Sequence, residues 1–465
     1  MLTSFTALQL RDPAIADADR VLRTCVHYGF CTGTCPTYVL TRDENESPRG
    51  RIDLIRAMLE RGGPPDDATV RHLDSCLSCL ACRTTCAAKV DYARLIDIAR
   101  AYVETNHRRA WTERMLRGLI ARTLPYPRRL RAALAAGRLV GPLSRWMPGR
   151  LAGLAVLAGG ARASARGPAP GVYPADGERR CRVLLLAGCV SSVLGADIHA
   201  ATLRLLRRHG CDVVVASEAG CCGALPLHMG RESQARRLAQ ANLAAWARFV
   251  GPKARDPVDA IVVDASGCGT TLKDYGRWPG GPVAEAVGAL ARDVTEVLDE
   301  LGVRPTGNAP RLRVAYHDAC SLQHGQRVID PPRRLLAAAG FEVHEVPERH
   351  FCCGSAGTYH LLQPDTASTL GRRKADHADS VDADAIAAGN LGCLVQIGRY
   401  ASTPVLHTIE LVDWATGGPM PGALAGRMLR QRTAPEAARA DAAATSATST
   451  STGTAPPGAN DLGVW

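Results

Sequence analysis

Aromatic side chains are scarce in this chain, 5% of 465 residues, and no run of about 18 consecutive apolar residues occurs. The longest apolar candidate, 151–159, is half that length, so no membrane-crossing helix is expected. The opening segment, MLTSFTALQLRDPA, has neither the basic region nor the apolar core of a secretory leader. No G-x-G-x-x-G fingerprint follows a strand-like run, no Walker A sequence occurs, and no C-x-x-C-H haem-attachment motif is present. Such a chain carries no group of its own that takes a hydride from an organic substrate, so a partner subunit is implied. No nucleic-acid-binding module is recognisable either, and no nucleic-acid partner is expected.

Cysteine is the opposite case, with 17 copies, an odd number in a long chain without a leader pattern. A secreted disulfide scaffold is disfavoured, and a cytoplasmic, reducing compartment with metal- or cluster-bound thiolates is expected. Hydrophobic content of 46% supplies real cores, and the length calls for two or three domains.

The net charge of +11 is concentrated. Between His107 and Arg166 stand thirteen Arg and one acidic residue, Glu113. Apolar residues recur there at helical spacing (Trp111, Met115, Leu119; Leu130, Leu134), interrupted by Pro125, Pro127, Pro142 and Pro148. The pattern predicts short basic amphipathic helices, serving either as a dock on an anionic bilayer or acidic partner, or as a solvated connector.

Residues 1–105 read as helical with two cysteine clusters, and Ser47-Pro48 reads as a helix start ahead of Ile52, Leu54, Ile55 and Leu59. Residues 106–180 form the basic connector and a Gly/Pro-rich linker. From 181 short apolar strands alternate with longer helices, which predicts α/β architecture with parallel sheets in two domains, 181–305 and 306–431. The fold class is therefore α+α/β. The Ala/Ser/Thr-rich tail, 432–465, is expected to be disordered. The two α/β domains are an internal repeat. Cys189 precedes Cys221-Cys222-Gly223 by 32 positions, Cys320 precedes Cys352-Cys353-Gly354 by the same 32, and Cys268 and Cys393 follow.

Cys76, Cys79, Cys82 and Cys86 form C-x2-C-x2-C-x3-C, a spacing that wraps three thiolates around one cubane and sends the fourth to a neighbouring cluster. Upstream, Cys25, Cys31 and Cys35, followed by Pro36, would repeat the motif if position 28 were cysteine, but it is Tyr28. Crossing the fourth ligands groups Cys76, Cys79 and Cys82 with Cys35, and Cys25 and Cys31 with Cys86. Tyr28 then ligates the open corner, leaves it labile, leaves a three-iron cluster, or merely packs over it. Zinc is the competing metal, since C-x2-C pairs also make tetrahedral sites. In each repeat the four cysteines, Cys189, Cys221, Cys222 and Cys268 or Cys320, Cys352, Cys353 and Cys393, read as a second kind of metal or redox site, or as small buried hydrophobes. Cys181 and Cys211 have no counterparts and read as structural. His228, His317 and His324 lie near these cysteines and are candidates for ligation, proton movement or plain hydrogen bonding.

The series CVHYGFCTGTCPTYVL, SPRGRIDLI, CLSCLACRTTC, EAGCCGALPLH, ASGCG, SLQH and CCGSAGTYHL resembles the glycolate oxidase (glycolate dehydrogenase) iron–sulfur subunit, collinearly from about residue 10 to 420. Its separate motifs are shared with one of the subunits of anaerobic glycerol-3-phosphate dehydrogenase, lactate-utilisation proteins and heterodisulfide reductase, all two-cluster ferredoxin-type proteins with CCG domains. The resemblance implies an electron-transfer subunit of a complex oxidising glycolate or D-lactate to the 2-oxo acid. In it, FAD-containing subunits do the chemistry on the alcohol carbon, and this chain is not active alone. It implies two [4Fe–4S] clusters on Cys25, Cys31, Cys35, Cys76, Cys79, Cys82 and Cys86, electrons passing to a membrane quinone, and a peripheral place on the inner membrane face. Service to a lactate or glycerol-3-phosphate dehydrogenase is an alternative, as is a non-redox zinc- or cluster-stabilised assembly protein. In heterodisulfide reductase a CCG domain holds an unusual cluster on five cysteines; here each has four, the final C-x-x-C being reduced to Ala265…Cys268 and Asn390…Cys393.

Overall fold

The computed structural model describes residues 1–140, 167–307 and 309–425. The expected disordered tail, the apolar run 151–159 and the prolines at 142 and 148 lie outside those residues.

The N-terminal region is helical because its apolar residues recur at helical spacing between good caps. Ser47 Oγ accepts the Gly50 N–H at 2.9 Å and Pro48 occupies the first turn, so the helix Pro48–Arg61 starts where the sequence places it. Ile52, Ile55 and Leu59 are buried, and Leu54 is half-buried. They meet Ala18 and Leu22 of the helix Pro13–Thr24 and Leu95, Ile96 and Ala99 of the helix Tyr92–Asn106. Cys25, Cys76 and Cys82 belong to the same core.

The α/β half holds two sheets. The first orders its strands β1 (Gly171–Tyr173), β3 (Cys211–Val215), β2 (Cys181–Leu185), β4 (Ala260–Val263) and β5 (Ala291–Asp293). The second orders β7 (Glu342–Glu345), β6 (Arg313–His317), β8 (Ala385–Ala388) and β9 (Val405–His407). All pairings are parallel except β1 with β3, and β4 and β8 are buried along their whole length, as strands covered by helices on both faces must be. Strands 171–173, 291–293 and 405–407 correct the sequence reading, which passed over the last two and assigned the first to the linker. Each is three residues long, too short for a periodicity to register. Cys181 and Cys211 are register partners at the start of β2 and β3, with their Sγ atoms 2.7 Å apart.

Helices Trp111–Thr123 and Pro127–Val140 form as the spacing predicts, with Pro125 in the turn between them. Leu130 and Leu134 pack on Val193, and Leu116 and Ile120 pack near Met229. Trp111, Met115 and Leu119 instead face solvent. A buried ion network fixes the first helix: Asp74 takes Arg109 at 2.5 Å and Arg117 at 2.9 Å, and Glu113 takes both arginines at 2.8 Å.

One glycine shows how closely the helical region abuts the first α/β domain. Gly230 has φ +79°, and a Cβ there would run into the carbonyl oxygen of Arg100. Gly230→Ala is expected to cost about 2–3 kcal/mol, read as a lowered denaturation midpoint. Gly63→Ala, also at positive φ (+72°) but with no neighbour within 4 Å, should cost about 1 kcal/mol of backbone strain alone.

Candidate metal centres

The segment 76–82 is wound tightly by two left-handed residues, Ser78 (φ 50°) and Leu80 (φ 63°), and strain of this kind concentrates at functional sites. The winding turns the Ser78 N–H onto Cys76 Sγ at 3.4 Å. Cys76, Cys79 and Cys82 line a small cavity together with Cys35, which stands at the N-cap position of the helix Pro36–Thr41. The crossed grouping expected from the spacing is thus present in space. Arg51, Tyr92 and Pro48 complete the wall.

Burial pushes Cys82 well above its ordinary pKa, with Cys79 and Cys76 adding to the rise. Burial, then Cys320 and Cys35, do the same to Cys79. Four thiols converge on one cavity, and for Cys79 and Cys82 the buried thiolate is costly without a cation beside it, which an iron–sulfur cluster supplies. The donors around them fit that assignment. Arg51 Nη1 lies 3.8 Å from Cys35 Sγ and Tyr92 Oη 3.6 Å from Cys76 Sγ. Hydrogen bonds to sulfur are one way proteins tune cluster potentials.

Cys25, Cys31 and Cys86 form the second group. The thiol of Cys31 is pushed up to about 11 by burial and then by Cys25, with Cys86 and Cys35 adding less. Tyr28 does not pack inward over this group. It is 68% exposed, and its ring sits 6.2 Å from that of Phe30.

In both repeats the cysteines cluster where the strands end, the usual position for sites in open α/β sheets. In the first repeat Cys189 and Cys222 push the Cys221 thiol up, while Cys221 and Cys268 hold Cys222 down, so the four thiols act on one another. In the second repeat Cys320 Sγ lies 3.7 Å from Cys352 Sγ, and Cys353, Cys393 and His317 place ligand atoms within 4.8 Å of one another, all buried. His317 stands where the first repeat, 131 residues earlier, has Leu186. Both His317 ring nitrogens are buried without a partner. His324 bonds Thr84 at 2.8 Å and the His350 carbonyl at 3.0 Å, and His228 faces Asp97 at 3.2 Å. The second repeat abuts the four-cysteine cavity, because Cys79, Leu77, Cys320 and Cys352 share one apolar cluster.

Sequence reasoning missed Arg51 and Tyr92. The signal for Arg51 was its place in Ser47-Pro48-Arg49-Gly50-Arg51, one turn into the helix beside the cysteine runs.

Comparisons with known proteins place the cysteine runs in two kinds of domain. The family model of the 4Fe-4S dicluster domain matches residues 21–90, and that of the cysteine-rich (CCG) domain matches 183–273 and 314–398. The chain is 37% identical to the glycolate oxidase iron-sulfur subunit of Escherichia coli over 89% of its length and 99% of that protein. It is 32% identical to the probable glycolate oxidase iron-sulfur subunit of Bacillus subtilis, over 85% and 94% respectively. Lactate utilization protein A of Oceanobacillus iheyensis matches half of this chain at 28% identity, covering 96% of that protein.

Proposed function

The chain belongs to the family of glycolate oxidase iron–sulfur subunits, and from that premise we propose that it carries electrons from flavoprotein partners oxidising glycolate towards a membrane quinone. The observation that carries the reading is the cavity shared by Cys35, Cys76, Cys79 and Cys82 beside the Cys25, Cys31 and Cys86 group. Clusters bound there would relay a flavin's two electrons one at a time towards a quinone. The chain's own residues hold the sulfur ligands, donate hydrogen bonds to them from Arg51, Tyr92 and Ser78, and exclude water through Leu77 and Leu80. The flavoprotein that co-purifies names the substrate, and with it decides between glycolate, D-lactate and glycerol 3-phosphate. Among the described residues no helix is long and apolar enough to cross a membrane. The place proposed for the chain is peripheral, on the cytoplasmic membrane face. The thiols at the second repeat, with His317, are proposed as a further metal site.

Iron, zinc and acid-labile sulfide per chain, on anaerobically prepared protein, test the reading. About seven or eight iron with matching sulfide supports two ferredoxin-type clusters. Iron clearly above eight, or zinc in addition, brings in the repeats. Zinc without sulfide overturns the electron-transfer reading.

Tyr28 gives a sharper prediction. With its ring turned to solvent, the Cys25, Cys31 and Cys86 group lacks a fourth protein ligand from position 28, so the oxidised protein should show a three-iron EPR signal. Tyr28→Cys is expected to remove that signal and raise iron by about one per chain, since it completes the four-thiolate pattern. Tyr28→Phe should leave both unchanged. A loss of iron in Tyr28→Phe would make the phenol a ligand.

A further inference from the structure

The helix Trp111–Thr123 sorts its side chains by face in a way its fold does not need. Leu116, Ile120 and Ala121 point inward, which satisfies the core. Trp111, Met115 and Leu119, spaced i, i+4 and i+8, are nevertheless 70%, 63% and 56% exposed. They form one apolar stripe about 12 Å long. The charges are sorted too. Between 106 and 140 the one carboxylate is Glu113, and it is turned inward onto Arg109 and Arg117. Arg108, Arg114 and Arg122 are exposed beside the stripe, and Arg128 and Arg129 are exposed on the next helix. The charge these two helices present to solvent is positive.

We propose that this face docks on an anionic lipid bilayer, with Trp111, Met115 and Leu119 entering the headgroup boundary and the flanking arginines pairing with lipid phosphates. The inference rests on the peripheral membrane location proposed above and names the surface responsible for it. Several features favour lipid over an acidic protein. The apolar strip is one helix wide, ends in a tryptophan, and is bordered by long cationic side chains. Their stems can lie along an apolar layer while the guanidinium groups reach its phosphates. Among the described residues of the two helices, the carboxylate Glu113 is turned onto Arg109 and Arg117, so the charge flanking the stripe is the uniform positive charge that an anionic headgroup layer complements.

The full cluster-loaded chain is sedimented with phosphatidylglycerol/phosphatidylcholine vesicles and with pure phosphatidylcholine vesicles, at low and high salt. Binding to the anionic vesicles, weakened at least about tenfold in pure phosphatidylcholine and by high salt, is expected. The triple variant Trp111→Ser, Met115→Ser, Leu119→Ser should lose at least about tenfold in vesicle affinity with iron content and dithionite reduction of the bound clusters unchanged. That last readout separates failure of the surface from failure of the electron-transfer reading. Quenching of tryptophan emission by brominated lipid should fall in Trp111→Phe while sedimentation persists.

Equal binding to neutral vesicles, undiminished binding by the triple variant, or no binding by the wild-type chain each overturns the proposal. So does shielding of Trp111 from an aqueous quencher before lipid is added, which would show the stripe already covered. Release of the flavoprotein subunits by the triple variant, without vesicle binding by the wild type, would make the face a protein interface instead.

Discussion

Cys79→Ser is expected to stop quinone-linked turnover of the assembled complex while the flavoprotein partners go on reducing an artificial dye directly. Cys79 shares its cavity with Cys35, Cys76 and Cys82, and burial with Cys320 and Cys35 nearby raises its thiol, which a bound cluster would offset. Serine offers a harder, more basic oxygen in a wall built for sulfur, and the softness match is lost. Changes to groups that merely orient metal ligands commonly cost 10–100-fold, so loss of a ligand should cost at least about a hundredfold in turnover with quinone. Iron should fall by roughly a cluster's worth, three to four atoms per chain. Cys79 also adjoins Cys320 of the second repeat, so the same change disturbs a contact between the cavity and those thiols. Cys211→Ser, at the paired strand starts of the first sheet, is the control and should leave iron unchanged. Survival of quinone turnover in Cys79→Ser would defeat the relay.

The nearness of Cys35 to Cys76, Cys79 and Cys82 was legible because it is written in short spacings. Two or three intervening residues fix which thiols can converge, and the rule that the fourth ligand crosses over places Cys35 with Cys76, Cys79 and Cys82 on spacing alone. The repeat was equally legible, since 32 positions recur in both copies and the strands between them alternate with helices. The helix start at Ser47 held for the same local reason, a cap and a proline in adjacent positions. What was not legible depended on distant partners. Apolar spacing at 111, 115 and 119 predicts a helix but cannot say whether that stripe meets a core. The inward face at 116 and 120 is chosen by Met229, more than a hundred residues away. Strand 171–173 looked like linker because three residues at a sheet edge carry no alternation, and only pairing with β3 makes them a strand. The exposure of Tyr28 was open in the sequence for a similar reason: position 28 fixes its closeness to the cysteines along the chain and says nothing about which way the ring turns.

Arg51 was the largest omission, and it carries the second large effect. Its guanidinium is 1% exposed and holds five groups at once: Glu46 at 2.6 Å, the His72 carbonyl at 2.7 Å, Ser75 at 2.8 Å, Thr37 at 3.0 Å and Cys35 Sγ at 3.8 Å. Burial opposes its charge, but Cys76, Tyr92, Cys35 and Glu46 more than offset this, so Arg51 stays protonated. Arg51→Leu removes the cation and leaves Glu46 buried, with His72 at 2.6 Å and Ser75 as its remaining partners. Stranding one member of a buried pair costs about 3–5 kcal/mol, and a comparable loss of stability is expected, read as a lowered denaturation midpoint and faster iron loss in air. The double change Arg51→Leu, Glu46→Gln should recover part of it, because the stranded charge is gone. Arg51→Lys keeps the charge without the planar fork, cannot meet five partners, and should fall between wild type and Arg51→Leu. The reduction potential separates this role from packing. Positive charge beside a ligand sulfur favours the reduced cluster, so Arg51→Leu should shift the potential of the Cys35, Cys76, Cys79 and Cys82 cluster negative while Arg51→Lys shifts it less. A stable Arg51→Leu protein with an unshifted potential would confine Arg51 to filling space.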